Sequence, residues 1–143
     1  MIKRTHTPER RPLISSIDFD RLSQLVEAAQ YRRTHSALLS GLKSELENRD
    51  VIAPICVPRG VVTMNSRVRL SDTASGQSET YTLVYPEEAD ITQERLSVLA
   101  PLGAALLGSR AGQTIRVNTP GGVRRLKVER ILYQPEAAGD YHL

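Results

Sequence analysis

Residues 96–108 have the sequence LSVLAPLGAALLG, and this stretch decides the fold. Its first four residues favour a short β-strand. Pro101 then stands where a helix begins, because its fixed φ angle suits the first turn and its missing N–H is not needed there. The alanines and leucines that follow are strong helix formers, and Gly108 and Gly112 provide a stop and the next turn. The stretch therefore predicts a strand followed directly by a helix of barely two turns.

Alternating apolar and polar residues predict further short strands on both sides of this stretch. The turn Pro120-Gly121-Gly122 joins the last two, since glycine tolerates the positive φ angles of tight hairpins. The predicted strands cover residues 61–64, 67–70, 80–84, 96–99, 114–118 and 123–132. Six short strands and one short helix indicate an α+β fold.

The first third of the chain has a helical period instead. One face of a first helix carries Ile17, Leu22, Leu25, Val26 and Ala29, and Ser16 or Asp18 offers an oxygen to cap its start. A second leucine repeat occupies residues 36–48 and ends before Pro54. At about 1.5 Å per residue the two helices are each about 20 Å long. We expect them to pair as a short antiparallel hairpin, a stubby coiled coil.

These patterns divide the chain into four parts. We expect a basic flexible arm at residues 1–15, the helical hairpin at 16–49, a linker at 50–60 and the sheet domain at 61–143. The last part contains most of the apolar residues available for a core. It is therefore expected to fold without the hairpin.

The net charge of +3 is concentrated in the arm. The first twelve residues carry Lys3, Arg4, Arg10 and Arg11 against a single acid, whereas residues 18–49 balance five basic against five acidic residues. A short basic tail is either solvated or makes weak contact with nucleic acid or an acidic protein surface. The sequence leaves both interpretations open.

The sequence offers no recognisable set of catalytic or metal-binding residues. A single cysteine, Cys56, excludes an internal disulfide and fits a reducing compartment. His6, His35 and His142 are scattered and share no metal-ligand spacing with Cys56. Phosphate-binding loops and nucleophile elbows are absent, and no apolar run is long enough to span a membrane. We expect a cytoplasmic, monomeric protein that is not an enzyme and holds no cofactor or metal.

One acidic cluster follows the predicted strand at residues 80–84. It comprises Glu87, Glu88, Asp90 and Glu94. Four carboxylates are able to collect a divalent cation or to dock a basic partner, but such a group on a proline-containing loop is usually a solvated surface. The cluster alone therefore does not predict a metal site.

The order of strand, proline-started helix, glycine stop, strand and Pro-Gly-Gly turn resembles the C-terminal domain of the bacterial Gre transcript-cleavage factors. Residues 62–68 (VTMNSRV), 82–86 (TLVYP) and 133–141 (YQPEAAGDY) are similar to the Gre-related family of regulators of nucleoside diphosphate kinase (Rnk). The likeness covers residues 61–143 by motif and 17–49 by architecture. It implies a small antiparallel sheet wrapped on one helix, like the fold of FK506-binding proteins (FKBP-like).

The resemblance also implies what the hairpin does. In the Gre cleavage factors, the tip of a long coiled coil carries acidic side chains that help hold a catalytic metal ion in the secondary channel of RNA polymerase. The matching turn here contains Tyr31, Arg32, Arg33 and His35 and no acidic residue. Guanidinium groups repel Mg²⁺. The resemblance therefore implies a factor that does not stimulate cleavage.

A docking site is implied as well. In the family, the loop that leads into the short helix contacts RNA polymerase at the rim of the channel, and the matching positions are Ser97, Leu99, Ala100 and Pro101. The expected function is that of a non-enzymatic transcription regulator that binds RNA polymerase and competes with Gre factors. Two alternatives are a nucleic-acid-binding module that uses the arm, and a peptidyl-prolyl isomerase, which rests on fold analogy and lacks an aromatic pocket wall.

Overall fold

The structure, a computed structural model, describes residues 11–28, 33 and 36–143 of the chain. In chain order its elements are β1 (Leu13–Ser15), α1 (Ser16–Glu27), α2 (Ser36–Glu47), β2 (Asp50–Ile52), β3 (Arg67–Asp72), β4 (Ser78–Val84), β5 (Arg95–Ser97), α3 (Pro101–Leu106), β6 (Thr114–Thr119), β7 (Gly122–Tyr133) and α4 (Pro135–Ala138). Single turns of 3₁₀ helix occur at Pro54–Cys56, Pro86–Glu88 and Ile91–Gln93. The expected combination of helices and sheet is confirmed.

Five strands form the main sheet, in the order β5-β4-β3-β7-β6. Three of its four strand pairs are antiparallel, as predicted, and β6 and β7 meet through the predicted turn at Pro120 and Gly121. The β4–β5 pair is parallel, so the prediction of a purely antiparallel sheet is wrong at this edge. The two 3₁₀ turns after β4 carry the chain back alongside the last three residues of that strand, where the Thr82 N–H donates to the Glu94 carbonyl at 2.8 Å.

Residues 61–64 do not form the predicted strand. Apart from one isolated bridge between Val61 and Arg110, this segment is irregular backbone that ends in a turn at Asn65, where φ is +67°. Its four side chains are at most 1% exposed. The apolar run therefore reflects burial on all sides, which a sequence pattern does not distinguish from a buried strand.

Helix α3 packs very closely on the inner face of the sheet. A Cβ atom added at Gly103 would lie 2.0 Å from the carbonyl oxygen of Ser97, so only glycine permits this approach. Gly108 ends the helical stretch with a φ of +82°, as the sequence predicted. It also leaves room for Arg49, whose Nη1 would lie 1.9 Å from a Cβ at position 108.

The first two helices pack against each other, and their buried faces are continuous with the core of the sheet. That shared core includes Leu22, Leu25, Val26, Leu39, Leu42 and Leu46 from the helices and Val68, Leu70, Leu83, Leu106, Leu126 and Val128 from the sheet domain. Most of the helical faces predicted from the sequence are therefore buried, although Ile17 is only half-buried, Leu38 is exposed, and Ala29 lies outside the described residues. The connection between the helices lies outside the described residues.

Two three-residue strands at the base of the helices are not predicted by the sequence. Strand β1 lies within the expected arm and β2 within the expected linker, and they pair in parallel. Strands this short contain too few residues to display a period of two. The cap of α1 was also predicted wrongly: Ser15, not Ser16 or Asp18, accepts the hydrogen bond from the Asp18 N–H at 3.0 Å.

We predict that Gly103→Ala lowers the free energy of unfolding by about 1–3 kcal/mol, because the new methyl group overlaps a backbone oxygen that cannot move alone. Gly41→Ala is the matched control: it lies within α2 with no heavy atom within 4 Å of the added Cβ, so helix propensity should raise stability by up to about 1 kcal/mol. Urea denaturation measures both variants. Equal stabilities would contradict the close approach of α3.

Candidate functional site

The four predicted docking residues lie where β5 passes into α3, and they differ in exposure: Ser97 ends the strand, Leu99 and Ala100 connect the two elements, and Pro101 begins the helix. Ser97 is half-buried, and its Oγ accepts a hydrogen bond from the Leu99 N–H at 3.0 Å. Leu99 is only 5% exposed and belongs to the core. Ala100 is half-buried and Pro101 is exposed at the helix start. Ala100 and Pro101 therefore form the accessible surface here, and the side chain of Leu99 packs into the core beneath them.

A shallow groove of about 240 Å³ extends from this loop to the β6–β7 turn. One side is formed by Ala100, Pro101 and Leu102, and the other by residues of the hairpin, which are Val117, Asn118, Thr119, Pro120, Arg124 and Leu126. Most of the lining is aliphatic, and no aromatic ring contributes to it. The groove suits contact with an apolar segment of a partner and lacks the aromatic wall of an isomerase pocket.

Arg124 closes one end of the groove within a network of charged side chains. Its Nη2 donates to Asp72 Oδ2 at 3.1 Å and to Glu79 Oε2, while the Tyr81 hydroxyl donates to Glu79 at 2.8 Å. These hydrogen bonds raise the pKa of Arg124, and backbone N–H groups together with Arg124 hold the pKa of Asp72 below its usual range. Burial and Glu79 raise the pKa of Tyr81 to about 12. These pKa shifts favour a charged Arg124, a charged Asp72 and a neutral Tyr81 at the edge of the groove.

A buried carboxylate joins α1 to the sheet domain. Asp18 is 2% exposed, and its Oδ2 accepts a hydrogen bond from the Met64 N–H at 3.1 Å. Burial raises the pKa of Asp18 to about 7, and nearby Glu136 adds to the effect. Burial and Asp18 also raise the pKa of the adjacent Tyr85, whose hydroxyl has no hydrogen-bond partner among the described residues.

The C-terminal segment is attached to the same region by a glutamine that the sequence analysis did not single out. Gln134 is 4% exposed, and its Nε2 donates to the carbonyls of Pro58 and Val61 at 2.7 Å each. Its Oε1 accepts from the Ala137 N–H and so caps α4. A glutamine directly before a proline-started helix is the signal that could have identified it.

The acidic cluster is dispersed by its two 3₁₀ turns. Asp90 accepts hydrogen bonds from the backbone and hydroxyl of Thr92, which hold the pKa of its carboxyl below its usual range. Glu94 accepts from Arg67 at 2.9 Å. Within residues 11–28, 33 and 36–143, no group of three or more histidine, cysteine or acidic residues is placed to hold a metal ion.

Most of the predicted hairpin tip and arm lies outside the described residues. This applies to Tyr31, Arg32 and His35 of the tip and to Lys3, Arg4 and Arg10 of the arm. Arg33 is described and exposed. Arg11, the last basic residue of the arm, donates to the carbonyls of Glu47 and Asn48 and so contacts the end of α2.

Comparison with known proteins assigns the fold to a family. A family model for the C-terminal domain of the transcription elongation factors GreA and GreB matches residues 57–133. The chain belongs to the GreA/GreB family. It is 42% identical over 132 residues to the regulator of nucleoside diphosphate kinase of Escherichia coli K12. The aligned residues cover 92% of this chain and 96% of that protein. The recognition of a Gre-related protein of the Rnk type is thereby confirmed.

Other members of the family are similar along most of their length. The chain is 33% identical to the elongation factor GreA of Syntrophobacter fumaroxidans over 91% of this chain and 88% of that protein. A solved GreA/GreB structure from Nitrosomonas europaea superimposes with a TM-score of 0.73 at 38% identity, covering 86% of this chain and all of the other. In the part of the chain that the structure describes, no helix has the length and apolarity needed to cross a membrane.

We predict that Asp18→Asn changes how stability depends on pH. The carboxyl holds its proton more tightly in the folded state, where its pKa is about 7, than at the ordinary value of 3.8, so its contribution to stability falls as the pH rises through this interval. Asparagine removes that loss and keeps an acceptor for Met64. Relative to wild type, the variant should gain up to about 4 kcal/mol in unfolding free energy between pH 4 and pH 7.

Urea denaturation across this pH range measures the gain, and Asp20→Asn is the control because Asp20 is exposed on the same helix. Parallel pH profiles for wild type and Asp18→Asn would contradict a protonated, buried Asp18.

Proposed function

We propose that the protein is a transcription regulator of the Rnk type that binds RNA polymerase beside its secondary channel and does not stimulate transcript cleavage. The observation that carries the proposal is the aliphatic surface formed by the half-buried Ala100 and the exposed Pro101, at the positions that match the docking loop of the Gre family. The similarity to a regulator of nucleoside diphosphate kinase and to GreA along nearly the whole chain supports it.

The two helices are proposed to act as a short antiparallel hairpin. Two grooves along the helices support this arrangement: Phe19 near the start of α1 and Glu47 at the end of α2 line one, and Val26 near the end of α1 and Leu39 near the start of α2 line the other. Each helix has twelve residues, which corresponds to a length of about 18 Å. With no acidic residue between positions 30 and 35, such a hairpin has no carboxylate at its tip to hold a metal ion.

Because the hairpin tip has no carboxylate to hold a metal ion, the protein is proposed to act by occupying the docking site on the polymerase. A protein that binds the same surface as a cleavage factor lowers the fraction of polymerase available to that factor, without any chemistry of its own. We therefore propose that the protein has no enzymatic activity. An FKBP-like fold remains a prediction, and the absence of aromatic rings from the groove gives no support to a prolyl isomerase.

We predict that Pro101→Glu weakens binding to core RNA polymerase at least tenfold without unfolding the domain, at the cost of only a small decrease in melting temperature. Position 101 is exposed in the first turn of α3, where a carboxylate interacts favourably with the helix dipole, so the fold should tolerate it. Ile55→Glu introduces the same charge at a side chain that is 78% exposed outside the groove, and it should bind normally. Surface plasmon resonance and thermal melting measure the two effects.

A charged residue at position 99 does not test docking, because Leu99 is buried and its replacement would unfold the loop. Unchanged affinity of Pro101→Glu would place the docking surface elsewhere.

We predict that the protein slows transcript cleavage stimulated by a Gre factor in a backtracked complex. With the Gre factor limiting, an excess of this protein should lower the cleavage rate, and more Gre factor should restore it, as two ligands of one site require. The double variant Arg32→Asp/Arg33→Glu should still fail to stimulate cleavage, because the hairpin remains too short. Cleavage stimulated by the wild-type chain alone would refute the proposal.

A further inference from the structure

The β6–β7 hairpin has a concentration of positive charge that the docking proposal does not use. Its two strands contain five basic residues and one acidic residue, Glu129. Arg124 packs on the inner face beside the groove, whereas Arg116, Arg125, Lys127 and Arg130 are exposed. Together with Arg69 on the neighbouring strand β3, these four residues form what we call the basic sheet face.

The arrangement of this face is costly for the fold. Arg116 lies directly opposite Arg125, and Arg69 directly opposite Arg130. Like charges at directly opposed positions destabilise an antiparallel pair. Glu129 compensates for Arg69 alone, with a 2.9 Å hydrogen bond to its Nε. Among the described residues, the other four members of the face have no ion pair.

We propose that the basic sheet face binds the phosphate backbone of duplex nucleic acid. Guanidinium groups pair with phosphate oxygens through two parallel hydrogen bonds. Outward residues recur about every 6.8 Å along a strand, and neighbouring strands lie about 4.8 Å apart, so the face is a grid of cations. Duplex DNA offers about one phosphate per 1.7 Å of its axis, so several phosphates can lie over a face of this size.

The composition of the face favours a duplex over the other polyanions. Protein interfaces have an apolar and aromatic centre, but the exposed apolar residues here, Val123 and Leu132, lie at opposite ends of β7. Single strands are bound by stacking on aromatic rings. Strand β6 contains no aromatic residue, and the one on β7, Tyr133, is its last residue and has its hydroxyl bonded to Asp140.

The test uses the full chain and a fluorescently labelled DNA duplex of mixed sequence, titrated by anisotropy from about 50 to 200 mM salt. We expect measurable binding at the lower salt and a steep decline with added salt. Arg116→Ser/Arg125→Ser should weaken binding at least tenfold at low salt and reduce the logarithmic salt slope by about 2. Its melting temperature should stay the same or rise, because an opposed pair of like charges is removed.

Two control variants remove the same charge elsewhere: Lys43→Ser/Arg59→Ser outside the sheet, and Lys3→Ser/Arg4→Ser in the arm. Both should bind the duplex nearly as wild type. A single strand of the same sequence should bind more weakly. The proposal is overturned if wild type does not bind the duplex, if only the arm variant loses binding, or if the single strand binds more tightly. It is equally overturned if Arg116→Ser/Arg125→Ser loses affinity for RNA polymerase and keeps its affinity for the duplex.

Discussion

The fold depends on satisfying the backbone of one buried, irregular segment, residues 61–66. A buried N–H or carbonyl without a partner is costly, and this segment forms no continuous ladder with a strand. Its partners come from distant parts of the chain: the Ser109 carbonyl and Gly108 N–H at Val62, the Asp18 carboxylate at Met64, the Leu83 carbonyl at Asn65 and the Gln134 amide at Val61. Helix α1, the end of α3, strand β4 and the C-terminal turn are thereby held in one relative arrangement.

These long-range hydrogen bonds explain which parts of the structure could be predicted from the sequence and which could not. Local rules placed α1, α2, α3 and strands β3, β4, β6 and β7, because each has either a clear period or a proline and glycine at its ends. The apolar run at residues 61–64 predicts a strand, because burial on all sides leaves the same pattern as a buried strand. The position of Asp18 near the start of α1 suggests a helix cap, although Asp18 shares a helical face with Leu22 and Leu25, four and seven residues later. That spacing was the available signal that its carboxylate turns inward.

The candidate site was predictable to a similar degree. The resemblance to the family identifies the segment before α3 as a candidate site. Which of its residues are exposed and which are buried depends on tertiary packing, which the sequence does not show. Leu99 follows a buried valine and is itself buried, because the chain turns there and the period of two is lost. The positive charge of the sheet was visible in the sequence at residues 123–127. The net charge of a whole region does not reveal this concentration of positive charge, because it averages the two faces of each strand.

Those two faces would allow one hairpin to serve both proposed partners. Arg124 and Arg125 are neighbours in sequence, yet alternation directs the first to the groove beside α3 and the second to the outer surface. A polymerase docked at Pro101 therefore need not cover the basic sheet face. The register between β6 and β7 maintains this separation, because a slip of one residue would turn the outward arginines into the core and expose Leu126 and Val128. The buried leucines and valines of the hairpin thus fix the position of its charges, and any nucleic acid held by the outer face would lie on the opposite side of the sheet from the docking groove.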